Sequence, residues 1–187
     1  MSTFIQSEST PNPATLKFFA DGKIIAENSS IEIKTQQQAA KISPLALQLF
    51  AVEGVESVFL AHDFITITKK NNIDWQVLKS EIQGILIDFF VTNKPILYQQ
   101  TVRENAQHQD PLVQQIVELI DIKVRPAVAM DGGDIVFHSF ENGIVKLILK
   151  GSCSGCPSST ITLKNGIENM LKHYIPEVEA VEQVDED

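Results

Sequence analysis

Residues 133–174 read GDIVFHSFENGIVKLILKGSCSGCPSSTITLKNGIENMLKHY, and the changes of pattern along this stretch decide the fold of the second half of the chain. Residues 135–140 and 144–150 predict two strands. Asn142-Gly143 between them suits a two-residue hairpin turn with positive φ. Over 158–174, Ile161, Leu163, Ile167, Met170 and Leu171 recur at helical spacing. Pro176 stops that helix, and 178–184 predicts a short last strand. Upstream, Asp110 is a good N-cap and Pro111 fits the first helical position. Leu112, Ile116, Leu119, Ile120 and Val124 then line one side of a helix. The second half therefore reads α-β-β-α-β.

Working back, the first half also mixes strands and helices. Residues 1–10 are polar and read as loose. Thr10-Pro11-Asn12-Pro13 predicts a stiff turn, because each proline fixes its own φ and extends the residue before it. Residues 15–19 and 23–34 read as two strands turned at Asp21-Gly22. Helical spacing of Leu45, Leu49 and Val52 predicts a helix over 36–52, with Ser43-Pro44 as a start or kink and Gly54 as its end. Residues 55–60 and 64–69 alternate as two strands about Ala61-His62-Asp63. Asp74 then caps a helix reaching about residue 90, with Val77, Leu78, Ile82, Ile85, Leu86 and Phe89 on its apolar face.

Between the halves the pattern lapses into Gln99, Gln100, Asn105, Gln107, His108 and Gln109, which predicts a linker. The expected fold class is α+β, as two small α/β-sandwich-type domains, 1–92 and 110–187, joined by 93–109. The 187 residues carry a net charge of −9. The deficit falls unevenly, −2 over 1–100 and −7 over 101–187. An acidic chain is a poor partner for nucleic acid, which demands a basic face. No apolar run approaches the roughly 18–20 residues that span a bilayer, so no membrane role is expected. The first eight residues lack the basic start and apolar run of a secretory signal, and they hold no arginine. The expected compartment is a reducing cytoplasm.

Both of the chain's cysteines lie in Gly151-Ser152-Cys153-Ser154-Gly155-Cys156-Pro157. A bridge between them would close only a tiny loop, so metal binding or redox chemistry suits them better than scaffolding. The motif sits between a predicted strand and a predicted helix. A helix N-terminus offers unpaired N–H groups and partial positive charge, which favour thiolate over thiol. Structural zinc and 4Fe–4S clusters both take four ligands, and this chain offers two thiolates. The simplest completion is a second copy about a twofold axis. A cluster shared in that way is accessible and labile, which suits delivery better than electron transfer. On this chemistry alone, iron–sulfur and a zinc-binding adaptor stand close to even. A thiol–disulfide oxidoreductase stands behind them, because the site lies late in its domain and lacks the usual redox loop.

The remaining polar residues have structural readings. Asp131-Gly132-Gly133-Asp134 reads as a tight connection whose aspartates bond backbone N–H groups. His62, His108, His138 and His173 are dispersed. Trp75, Phe64, Phe89 and Phe90 read as packing. Ser158, Ser159 and Thr160 begin the last helix and satisfy its first N–H groups, and one hydroxyl there could also bond a cluster sulfide.

Arg125-Pro126, Asp131-Gly132-Gly133-Asp134, the cysteine motif through Ser159, Thr162-Leu163-Lys164-Asn165-Gly166-Ile167-Glu168 and Ile175-Pro176-Glu177-Val178 together resemble the C-terminal domain of NifU. The first half, through Thr10-Pro11-Asn12-Pro13-Ala14-Thr15-Leu16-Lys17-Phe18, Ser43-Pro44-Leu45-Ala46, Gly54-Val55 and Asp63-Phe64-Ile65-Thr66-Ile67-Thr68-Lys69, is similar to the N-terminal domain of Nfu-type proteins. The resemblance implies an iron–sulfur cluster scaffold or carrier, not an enzyme. It implies a 4Fe–4S cluster held between two protomers of a homodimer by Cys153 and Cys156. The partners implied are apo iron–sulfur proteins and upstream cluster-assembly proteins. The cysteine-bearing scaffold and ferredoxin-like regions of longer NifU proteins have no counterpart among these residues.

Overall fold

The computed structural model describes residues 4–20, 22–26, 30–92, 94–98, 110–154 and 157–185, without the side chains of 157–160. Gly155, Cys156, Asp21, His108, most of the expected linker and the side chains of Ser158, Ser159 and Thr160 thus lie outside the described residues. The chain divides into two compact units, Met1–Glu104 and Asn105–Asp187, each of mixed helix and sheet, so the fold class is α+β.

In the first unit, β1 (Ile5–Ser9), β2 (Thr15–Ala20), β3 (Ile31–Ile33), β4 (Val55–Leu60) and β5 (Ile65–Lys69) form one sheet in the order β1-β2-β5-β4-β3. All of its pairings are antiparallel. Helices α1 (Gln36–Ile42), α2 (Pro44–Phe50) and α3 (Trp75–Val91) contribute Leu45, Leu49, Leu78, Ile82 and Leu86 to a core shared with Phe18, Val58, Ile65 and Ile67.

Four sequence expectations change here. Residues 5–9 are not loose: they pair with β2 from Ile5↔Ala20 to Ser9↔Leu16, although only Ile5 among them is buried. The strand expected over 23–34 shrinks to β3, which pairs with β4 and not with β2. The helix expected over 36–52 breaks at Ser43. There the backbone is extended, its N–H closes α1 on Ala39 O, and its hydroxyl accepts from Ala46 N to cap α2. Pro44 has no N–H to continue a single helix. Val77 faces solvent, at 67% exposure, so the buried stripe of α3 is Leu78, Ile82, Leu86, Phe89 and Phe90.

The start of the expected linker lies against this unit. Ser43 Oγ donates to Ile96 O at 2.6 Å, and Tyr98 N donates to Ile42 O at 3.0 Å. Trp75 is half-buried, with its indole N–H on Pro13 O at 3.1 Å, which ties the proline turn to the head of α3.

The second unit follows the expected α-β-β-α-β order. It runs α4 (Pro111–Leu119), a π-helical turn (Ile120–Val124), α5 (Arg125–Met130), β6 (Gly133–Glu141), β7 (Ile144–Gly151), α6 (Pro157–Tyr174) and β8 (Ala180–Gln183). Its sheet is β6-β7-β8, antiparallel across the hairpin and parallel between β7 and β8. Ile116, Val128, Ile167 and Leu171 pack on Ile135, Val145, Leu147 and Leu149.

The first helical stretch runs on to Met130, further than its apolar pattern shows. Its ladder slips by one residue, with Arg125 N bonding Ile120 O, just ahead of Pro126, which has no N–H of its own. Ile161, expected on the apolar face of α6, is exposed. Among the described residues no helix is long and apolar enough to cross a membrane.

Candidate metal centre

The site is built where β7 ends and α6 begins. The hairpin brings Gly133, the first residue of β6, opposite Gly151, the last of β7. The loop before β6 and the loop after β7 therefore emerge side by side. Gly132 (φ 83°) and Gly151 (φ 66°) turn the backbone through the left-handed region, which a side chain resists.

Backbone bonds join the two loops. Ser152 N donates to Gly132 O at 3.2 Å, and the Ser152 hydroxyl donates to Asp131 O. On the cysteine side, Ser154 N and Ser154 Oγ both donate to Gly151 O, at 3.1 and 2.9 Å. Ser152 is buried, so these bonds are protected from competing water.

Cys153 follows directly. It is 7% exposed and belongs to the apolar cluster that includes Ile135, Leu149 and Ile167. Its Sγ lies 3.9 Å from Ser152 Oγ. A methyl group placed on Gly133 would lie 2.7 Å from that sulfur and 2.7 Å from Lys150 O. The second expected ligand, Cys156, lies outside the described residues.

Asp134 takes the structural role read from the sequence. Its Oδ1 accepts from Ile135 N at 2.7 Å and from Arg125 Nε at 3.0 Å. Arg125 Nη2 also donates to Ile135 O at 3.1 Å, and Nη1 pairs with Asp121 at 2.9 Å. This guanidinium thereby fastens the helix to the first residues of β6. Asp131 acts through its backbone carbonyl, while its side chain is exposed.

The sequence reading placed Ser152 in the motif and Gly133 in a tight connection, and missed the clamp role of Arg125, the loop-joining bonds of Ser152 and the contact of Gly133 with Cys153. One signal was available: two adjacent glycines stand where a single left-handed residue turns the chain.

The three described histidines stay apart. His62 Nδ1 lies 3.2 Å from Ala26 O, His138 Nδ1 lies 3.2 Å from Ser139 Oγ, and His173 packs edge-on to Tyr174. Among the described residues no three His, Cys, Asp or Glu side chains gather as a metal site. Chemically, the donor set offered by the motif is thiolate alone, which suits a soft metal or an iron–sulfur cluster.

Residues 5–93 match the family described as scaffold protein Nfu/NifU N terminal, and residues 116–182 match the NifU-like domain. A human protein named NFU1 iron-sulfur cluster scaffold homolog, mitochondrial, is 50% identical over 187 residues, covering 98% of this chain and 73% of its own length. This chain belongs to the Nfu/NifU scaffold family. A Drosophila persimilis protein of the same name is 49% identical, covering 100% of this chain and 67% of its own length. A NifU-like protein from Saccharomyces cerevisiae, solved by NMR, is 29% identical with a TM-score of 0.47, covering 52% of this chain and 86% of that one.

These findings correct the expected compartment. The Nfu relatives are named mitochondrial, which points away from the cytoplasm. The cytoplasmic expectation rested on the first eight residues, and the given chain matches 73% of the length of its human relative.

Proposed function

We propose that this chain is an iron–sulfur cluster scaffold and carrier, with a 4Fe–4S cluster as its cargo and Cys153 and Cys156 as its ligands. The cluster is held between two copies of the chain and passed to apo iron–sulfur proteins after arriving from upstream assembly proteins. The observation that carries this reading is the pairing of family membership with a two-cysteine motif at the β7–α6 junction. Two thiolates leave half of a four-ligand set to be supplied, and a twofold partner supplies it with the same residues.

The first domain, 1–92, serves partner choice or stability. Residues 94–98 pack on that domain, and the rest of the linker joins it to the cluster-binding domain, 110–187. The carrier uses no catalytic group: exchange of thiolate ligands between donor, carrier and recipient moves the cluster.

The test is anaerobic reconstitution of the chain and of two variants, Cys153→Ser and Cys156→Ser. The full chain becomes brown with a 4Fe–4S Mössbauer signature. Each variant loses the cluster and keeps its far-UV circular dichroism. A full cluster retained by either variant refutes the ligand assignment. Stoichiometric zinc that resists exchange for iron refutes the cargo.

A further inference from the structure

We propose that Gly133 and Ser152 form a seat that holds the sulfur of Cys153 inside the protomer and protects it there. The proposal rests on the assignment of Cys153 as a ligand and adds a positioning device to it. Cys153 Sγ occupies the space where a side chain at 133 would begin, since a Cβ there would come within 2.7 Å of the sulfur and 3.2 Å of Cys153 Cβ.

Torsion does not explain this glycine. Gly132 has φ 83°, whereas Gly133 is not among the residues with positive φ. The two neighbours therefore do different work: Gly132 turns the chain, and Gly133 leaves room. Ser152 supplies the other half of the seat. Its N–H and hydroxyl are tied to Gly132 O and Asp131 O, so the residue before the cysteine is fixed to the same loop that carries Gly133.

The consequence is protection: the seat shields Cys153 from soluble electrophiles and oxidants.

The full chain carrying Cys156→Ser, with Cys153 as its sole thiol, tests this in the metal-free state. Its alkylation by iodoacetamide is followed by mass spectrometry, in native buffer and in urea at the same pH. The ratio of unfolded to folded rate measures the protection of the sulfur. The parent should be protected by about tenfold or more. Adding Ser152→Ala should cut that protection about three- to tenfold, as the loss of a buried hydrogen bond does. Amide exchange in β6 and β7 should stay unchanged in that variant.

Gly133→Ala should reduce protection at least as much, because the methyl displaces the sulfur or the Lys150 carbonyl. If Gly133→Ala does not fold, Ser152→Ala decides alone. A parent that alkylates at the unfolded rate overturns the proposal, and so does unchanged protection in either folded variant. Cluster binding is not read in this assay, so failure of the carrier reading would appear in reconstitution and leave this result standing.

Discussion

Replacing Arg125 with alanine should unfasten the start of β6, and with it the loop on which Cys153 rests. The magnitude follows from three contacts. The pair with Asp121 is about equally exposed on both partners, 42% and 43%, and contributes only a few tenths of a kcal/mol. Asp134 is 14% exposed, and Ile135, whose carbonyl takes the third bond, is fully buried. A charged bond to such groups is worth about 1.5–3 kcal/mol, reduced to about 1 kcal/mol each because the guanidinium is partly solvated.

Asp134 keeps its bond from Ile135 N, which limits the damage. The expected loss is therefore about 2–3 kcal/mol, confined to the second unit. Hydrogen exchange of β6 and β7 peptides across a urea series measures it locally. The chain's single tryptophan, Trp75, belongs to the first unit and provides the control: its fluorescence transition should not move. Arg125→Lys should recover less than half of the loss, because an ammonium cannot hold Asp134 and the Ile135 carbonyl with one fork. A change below about 0.5 kcal/mol in β6 and β7 opening for Arg125→Ala would refute the clamp.

Ser43→Ala removes the cap of α2 and leaves the Ile96 carbonyl without its donor, so the first unit should lose about 2 kcal/mol by Trp75 fluorescence in urea. Gly54→Ala meets both a left-handed backbone (φ 106°) and the side chain of Ile73, and should cost the same unit about 2 kcal/mol or more in the same assay. Glu168 accepts from Lys172 at 2.7 Å and from Val181 N at 3.0 Å, and these bonds hold its carboxyl below the ordinary value. A carboxyl depressed in the folded state stabilises above its unfolded pKa and ceases to do so as pH falls through its folded value. Glu168→Gln should therefore lower Tm at neutral pH, and the two melting curves should converge as pH falls below the ordinary carboxylate range. Divergence on acidification would contradict that sign.

The features legible in the sequence are those fixed by local chemistry. Asn142 and Gly143 adopt φ of 51° and 76°, as a tight hairpin requires, and Asp74 and Asp110 accept the helix N–H bonds expected of caps. What escaped reading depends on distant pairing. Residues 5–9 are a strand because β2 offers them a ladder, and their own apolar content shows little of it. The break at Ser43 was visible as Ser-Pro, but its second role, binding the Ile96 carbonyl, depends on a contact 53 residues away.

At the site, the cysteine motif and the turn-forming glycines were legible. The proximity of Gly133 to Cys153 was not, since 20 positions separate them and only the Gly133↔Gly151 register brings them together. Burial of Cys153 has the same origin. The motif was read as holding an accessible cluster, and its first cysteine lies among the core residues of its unit.

If one chain brings half of the ligands and a second chain the rest, native mass spectrometry of the anaerobically reconstituted protein should show two chains carrying one 4Fe–4S cluster, which fall apart into single chains when the iron is chelated. A single chain that retains the whole cluster, with no small thiol bound beside it, would refute sharing between two chains.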